Sequence, residues 1–146
     1  MQIRIEERSA MDLRSLRFLV LWPHKKNIEE CLLDIDFKED TRHFAAINEH
    51  GEVIACCTMV AEQRNIDDEI YPMRLRAMAS HPAVRGSGVA KHLLLEAIYR
   101  CGGQSVWCDA REKAVAFYHK CGWEVRSAVY EIPIIGPHFL MSWNAR

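Results

Sequence analysis

Arg85-Gly86-Ser87-Gly88 is the place where this 146-residue chain gathers groups able to hold a bulky anion. The turn lies within Arg76 to Arg100, between the end of an apolar strand and an amphipathic helix. Ala90, Leu93, Leu94, Ala97, Ile98 and Cys101 follow the i, i+3, i+4, i+7 spacing of one buried helical face. Lys91, His92, Glu96 and Arg100 fall on the other side, and Gly102-Gly103 supplies a left-handed stop. The first N–H groups of a helix have no internal partner, and the helix dipole adds positive charge there. Glycines let the backbone approach an anion with no Cβ in the way. A strand, a glycine turn and a helix N-terminus together make a phosphate site, and pyrophosphate is its natural guest. Arg85 and Lys91 could add charge around it, or simply be surface residues.

Two nucleotide patterns compete for this turn. A Walker loop needs a glycine directly before its lysine, and Ala90 stands there. The dinucleotide fingerprint is a closer rival, with Gly86 and Gly88 as its first glycines and Asp109 roughly 20 residues downstream for a ribose. Its third small position falls on Lys91, which would obstruct close packing of helix on strand, and too little chain follows Asp109 for a doubly wound sheet.

The better match is R-x-x-G-x-A, met by Arg85, Gly88 and Ala90. With it, MASHPAVRGSGVAKHLL resembles the central motif of the GCN5-related N-acetyltransferase (GNAT) superfamily, and WCDAREKAVAFYHKCGW resembles the motif that follows it. Together they span Leu75 to Trp123, about a third of the chain. The resemblance implies an α+β fold whose central, mostly antiparallel twisted sheet has about six to seven strands, splayed at the centre and flanked by about four helices. It implies that the main chain from Arg85 through Gly86, Ser87, Gly88, Val89, Ala90 and Lys91 holds the pyrophosphate of acetyl-CoA. Ala77, Met78 and Ala79 would lie along the pantetheine arm, pairing with it as a peptide adds to a sheet edge. A backbone N–H near Met78 would meet the charge developing on the thioester oxygen. Tyr118, in F-Y-x-x-x-G-W, matches the tyrosine that protonates the leaving sulfur as a general acid. Phe117 beside it is carried over as a cofactor contact and otherwise packs in the core. Asp109 stands where the family often has an asparagine touching the cofactor; aspartate lacks the amide donors, so that contact transfers only as an acceptor.

The function implied is acetyl transfer from acetyl-CoA to an amine of a small molecule or protein, by direct attack in a ternary complex. The alternative from another class is a silent acyl-CoA-binding sensor or partner subunit. Homodimers are frequent in the family. No residue recommends itself as a general base. Glu62 is a carboxylate on a central strand, read otherwise as solvent-exposed, and His81 before Pro82 reads as structural.

The elements that must position these groups follow in order. Gln2 to Glu6 alternates as a short half-buried strand. Ser9 can cap a helix whose apolar face is Leu13, Leu16 and Leu19 or Val20, ended by Trp22-Pro23. Asn27 to Phe37 is a short helix or a loop. By family resemblance this N-terminal part helps build the acceptor site, making Arg14, Arg17, Trp22, His24 and Lys25 candidate contacts, or else solvated or packing residues. Thr41 to Asn48 and Val53 to Glu62 read as antiparallel strands joined through His50-Gly51-Glu52. Asn65 to Asp68 reads as loop. Tyr71 to Ala79 is the next strand, with Met73, Leu75, Ala77 and Ala79 on one face. Ser105 to Cys108 is a short buried strand, after which Asp109 and Glu112 form a capping box for a helix carrying Ala114, Phe117, Tyr118 and Cys121 on one face. Trp123 to Ile132 and Pro137 to Trp143 complete the sheet.

Length and 49% apolar content suit one domain over 1–146 with a single sizeable core. A net charge of −1 gives no sign of a nucleic-acid or anionic-membrane partner. No apolar run reaches the ~20 residues of a bilayer span, and the start MQIRIEERSA lacks a signal-peptide core, so a cytoplasmic protein is expected. The six cysteines show no C-x-x-C pair and read as reduced core residues rather than bridges, ligands or nucleophiles. No metal is implied.

Overall fold

The computed structural model describes residues 2–146. Strand β1 (Ile3–Arg8) leads through a 3-10 turn to helix α1 (Arg14–Val20), and two further 3-10 turns reach β2 (Arg42–Asn48). Then come β3 (Val53–Val60), the small hairpin β4 (Arg64–Ile66) and β5 (Glu69–Tyr71), and β6 (Met73–Ser80). Helix α2 (Val89–Arg100), β7 (Val106–Arg111) and α3 (Val115–Lys120) follow, and β8 (Glu124–Val125), β9 (Tyr130–Ile132) and β10 (Gly136–Trp143) close the chain. The main sheet runs β1-β2-β3-β6-β7-β10-β8, with β9 also on β10. Every pairing in it is antiparallel except β6 with β7. The expected mixed fold is present.

Two apolar clusters lie on opposite faces of this sheet. One gathers Leu93, Leu94, Ala97 and Ile98 of α2 with Phe44, Met59, Leu75, Val106, Tyr118 and Trp123. The other sets Leu13 and Leu16 against Ala45, Ile47, Cys56 and Ala79. The four α2 residues are the face predicted from helical spacing, while Lys91, His92 and Arg100 are exposed opposite it.

One irregularity in β6 changes which residues share a face. Cys56 pairs with Ala79 and Thr58 with Arg76, so Cys57 alone stands opposite both Ala77 and Met78. Ala77 adopts φ 50°, a left-handed conformation that costs an L-residue about 1–2 kcal/mol. A bulge of this kind shifts every later side chain to the other face. Met73 and Leu75 therefore pack with α2, as Met78 partly does, whereas Ala79 packs with α1. The expectation that Met73, Leu75, Ala77 and Ala79 share one face is corrected for this reason.

Other expectations also shift. Asn65 to Asp68 is not a plain loop: Asp67 and Asp68, at φ 51° and 66°, form a tight turn between β4 and β5. The stretch Asn27 to Phe37 holds 3-10 turns at Ile28–Cys31 and Asp34–Phe37 rather than an α-helix. Ser9 precedes a 3-10 turn and makes no side-chain cap bond, and Leu19 is exposed while Val20 packs inward. Trp123 to Ile132 is broken into β8 and β9, each pairing separately with β10. Among the described residues no helix is long and apolar enough to cross a membrane.

Candidate active site

From Met73 and Arg74, where β6 pairs with Val106 and Trp107 of β7, the two strands part. From Leu75 onward β6 has no partner on that side, while β7 keeps its pairing with β10 along its other edge. A cleft of about 760 Å³ opens between them. Ala77, Met78, Ala79 and Ser80 form one wall, and Cys108, Asp109, Arg111, Phe117 and Tyr118 form another.

At one end the chain leaves β6 through His81-Pro82 and reaches the glycine turn. His81 Nδ1 accepts from the Ala83 N–H at 3.0 Å, so it caps the 3-10 turn Pro82–Val84, which is the structural part expected of it. Gly86 and Gly88 have φ 80° and 87°, which only glycine adopts without strain, and a Cβ on either would meet no atom within 4 Å. The space in front of the turn is therefore open. The first bond into α2 runs from His92 N–H to Gly88 C=O. The N–H groups of Gly86, Gly88, Ala90 and Lys91 have no acceptor among the described residues, and that of Val89 has only a long 3.4 Å contact with Ser87 Oγ. Four orphan donors at a helix N-terminus make a strong anion seat. Arg85 and Lys91 line the cleft beside it. The side chains of Ser87 and Val89 turn away: the Ser87 hydroxyl donates to the Val84 C=O, and Val89 is buried in the core.

Tyr118 stands on α3 with its ring held edge-on by Phe117 at 5.3 Å and tilted against Trp123 at 5.2 Å. Burial, with the Cys108 and Cys57 thiols next in effect, pushes its phenol well above the usual tyrosine range. The hydroxyl is therefore protonated at every ordinary pH and can donate. The neighbouring Cys57 and Cys108 thiols are held protonated too, raised by burial, and on the other face of the sheet burial pushes Cys56 up to about 12. All six cysteines are free and buried, which fits packing and not nucleophilic attack.

Asp109 is not a helix cap. It lies inside β7, which runs on to Arg111 because β10 pairs along it, Leu140 opposite Asp109. Its carboxylate accepts from Arg74 Nη2 at 2.7 Å and from the Tyr130 hydroxyl. Arg74 also holds Glu62 at 3.0 Å and stacks over Trp107 at 4.5 Å. Glu62 is thus tied to an arginine as well as being partly exposed. The sequence carried a trace of this network, since Arg74 and Arg76 alternate with buried Met73 and Leu75 on a central strand.

Of the five N-terminal candidates, only Trp22 reaches the cleft. Arg14 pairs with Glu29 at the surface and His24 is exposed. Lys25 lies over the Trp22 ring. Arg17 is fully buried, donating to Asp36 at 2.7 and 2.9 Å, to Thr58 Oγ1 at 2.9 Å and to the Cys31 C=O at 3.0 Å. It is a structural ion pair under the site. Residues the sequence did not single out also line the cleft: Arg76, Arg111, Ile132, Ile135 and His138.

An acetyltransferase (GNAT) domain model matches residues 39–125, from β2 to β8. The chain is similar to YitI, an uncharacterized N-acetyltransferase of Bacillus subtilis, at 28% identity over 142 residues, covering 95% of this chain and 94% of that one. Its fold is similar to that of Escherichia coli ElaA, with TM-score 0.75 and 21% identity over 97% of this chain and 99% of that one. A similar fold is also seen in an aminoglycoside 6'-N-acetyltransferase complexed with coenzyme A, with TM-score 0.72 and 14% identity over 98% of this chain and 97% of that one. The family match, together with the parted strands and the open glycine turn, makes this chain a member of the GNAT acetyltransferase family, with N-acetyltransferase activity.

Proposed function

We propose that residues 1–146 act as one acetyltransferase unit. It takes acetyl-CoA as cosubstrate and transfers the acetyl group to an amine of a small molecule or protein by direct attack in a ternary complex. The observation that carries this is the set of orphan amides at Gly86, Gly88, Ala90 and Lys91, opening on a cleft also lined by Arg85, Lys91, Lys113 and Lys120. Those four cations suit a diphosphate that carries a further phosphate. From the turn, the free side of β6 leads back past Ala79 to Met78 and Ala77, where main-chain groups have no β7 partner to satisfy them. An extended amide-bearing arm fits such an edge as a strand would.

The reacting centre then lies by the bulge and Tyr118. The acceptor's neutral amine attacks the thioester carbon; a C–N bond forms and the C–S bond breaks. The Met78 N–H meets the charge on the carbonyl oxygen. Tyr118 donates its proton, or a hydrogen bond, to the departing sulfur. The amine's extra proton leaves to water, and Asp109, already held by Arg74 and Tyr130, is not free to take it. Phe117 and Asp109 also line the cleft.

Calorimetric titration with coenzyme A tests the cradle. Gly88→Glu sets a carboxylate where the diphosphate would sit and forces a side chain onto φ 87°. Affinity should fall at least about 100-fold, since a charged contact is replaced by a repulsive one. Unaltered binding by Gly88→Glu, or no heat with the wild type at millimolar coenzyme A, refutes the proposal.

A further inference from the structure

Arg74, Arg76, Arg85 and Arg111 are the arginines that line the cleft. Three of them have partners. Arg74 holds two carboxylates, Arg85 reaches the Ser80 C=O at 3.4 Å, and Arg111 donates to the Leu21 C=O at 2.7 Å. Arg76 has neither an acceptor nor an ion pair among the described residues, although it is more than half withdrawn from solvent. We propose that Arg76 recognises the acceptor, and that the acceptor is a small amine carrying a carboxylate, which the Arg76 guanidinium holds while the amine faces Met78. This rests on the acetyltransferase reading of the cleft.

Position separates Arg76 from the cofactor end. It precedes the bulge, about 13 Å of strand before Ser80 and the glycine turn, so the diphosphate seat is out of its reach. It is about 7 Å of strand from Met78, within the span of a small molecule with an amine at one end and an anion at the other. The bulge leaves Arg74 and Arg76 on the face opposite buried Met73 and Leu75, which is the face α1 covers. There Leu21, Trp22, Ile132 and Ile135 add apolar surface for the body of the molecule.

One guanidinium is left unmatched: Arg74 is held by Glu62 and Asp109, while Arg76 has no carboxylate in contact. A single carboxylate pairs with it one to one, whereas a phosphate dianion would bring one charge more. Burial and then the Arg74 charge pull the Arg76 pKa below its ordinary value, so the bare cation is disfavoured there and an anion would relieve it. Guanidinium and carboxylate also match as a two-pronged pair.

The test compares amines with and without the carboxylate: L-phenylalanine against phenethylamine, L-lysine against cadaverine, and 4-aminobutyrate against butylamine. Wild-type protein should favour the carboxylated member of at least one pair by about 10- to 100-fold in kcat/KM. Arg76→Gln should erase that preference through the acceptor KM, leave coenzyme A affinity unchanged, and be partly rescued by Arg76→Lys. The proposal is overturned by a preference that survives Arg76→Gln, by neutral amines or a peptide amine reacting better, or by no carboxylated amine reacting while coenzyme A binds. Wild-type protein that fails to bind coenzyme A would instead bring down the acetyltransferase reading beneath it.

Discussion

Replacing Tyr118 by phenylalanine removes one oxygen and keeps the ring that Phe117 and Trp123 hold. The cost in stability is that of one weak hydrogen bond near Cys108, about 1 kcal/mol or less. The cost in rate should be larger. Burial holds the phenol above its usual value near 10, whereas an ordinary thiol ionises near about 8.5. Complete transfer of the proton to a finished thiolate would therefore run uphill. Tyr118 must act while the C–S bond is breaking, chiefly as a charge-assisted donor. This puts the effect near the lower end of the range for a positioned acid, about 100-fold, or about 2.7 kcal/mol of barrier. Turnover at saturating acetyl-CoA, followed by thiol release, measures it. The pH profile adds a second check. A raised pKa keeps the neutral form present to higher pH, so wild-type activity should show no alkaline fall from this residue below pH 10. A Tyr118→Phe enzyme with kcat within about threefold of wild type would refute the assignment.

The buried pair beneath the cleft makes a separate prediction. Burial alone would raise the Asp36 pKa, but hydrogen bonds from Arg17 and Leu33, with the charges of Arg17 and His43, bring it below the usual value. Its stabilisation is complete above about pH 4, where the unfolded carboxyl is also ionised, and is lost as pH falls through the lower native value. Asp36→Asn leaves the Arg17 charge buried without its partner and should cost about 3–5 kcal/mol in urea unfolding at pH 7. A midpoint equal to wild type's would show the pair to be inert. Iodoacetamide at pH 8 should leave the native enzyme fully active, because Cys56, Cys57 and Cys108 are buried and held protonated. Rapid inactivation traced to any one of them would contradict this.

The glycine turn before α2 was legible because it depends on local chemistry. Gly86 and Gly88 read as a turn that lets an anion come close to the backbone, Ala90 to Cys101 as one helical face, and all of this requires only residues a few positions apart. Tyr118 was legible from its motif, and its burial followed from the helical spacing. What lay beyond reach depended on partners distant in sequence. Asp109 looks like a helix cap until β10 extends β7 past it and Arg74 and Tyr130 claim its carboxylate. Arg17 reads as an acceptor contact or else a solvated or packing residue, and only Asp36 and Thr58 enclosing it decide for packing. The alternation of β6 predicts one face for Met73 through Ala79, and only the mismatch with β3 at Cys57 reveals the turnover at Ala77. By itself the sequence determined the local hydrogen-bonding needs of each segment and so the glycine-turn end of the cleft. Tertiary structure alone decided which charges meet at the other end, because a guanidinium is structural or free according to the carboxylates that long-range pairing brings to it.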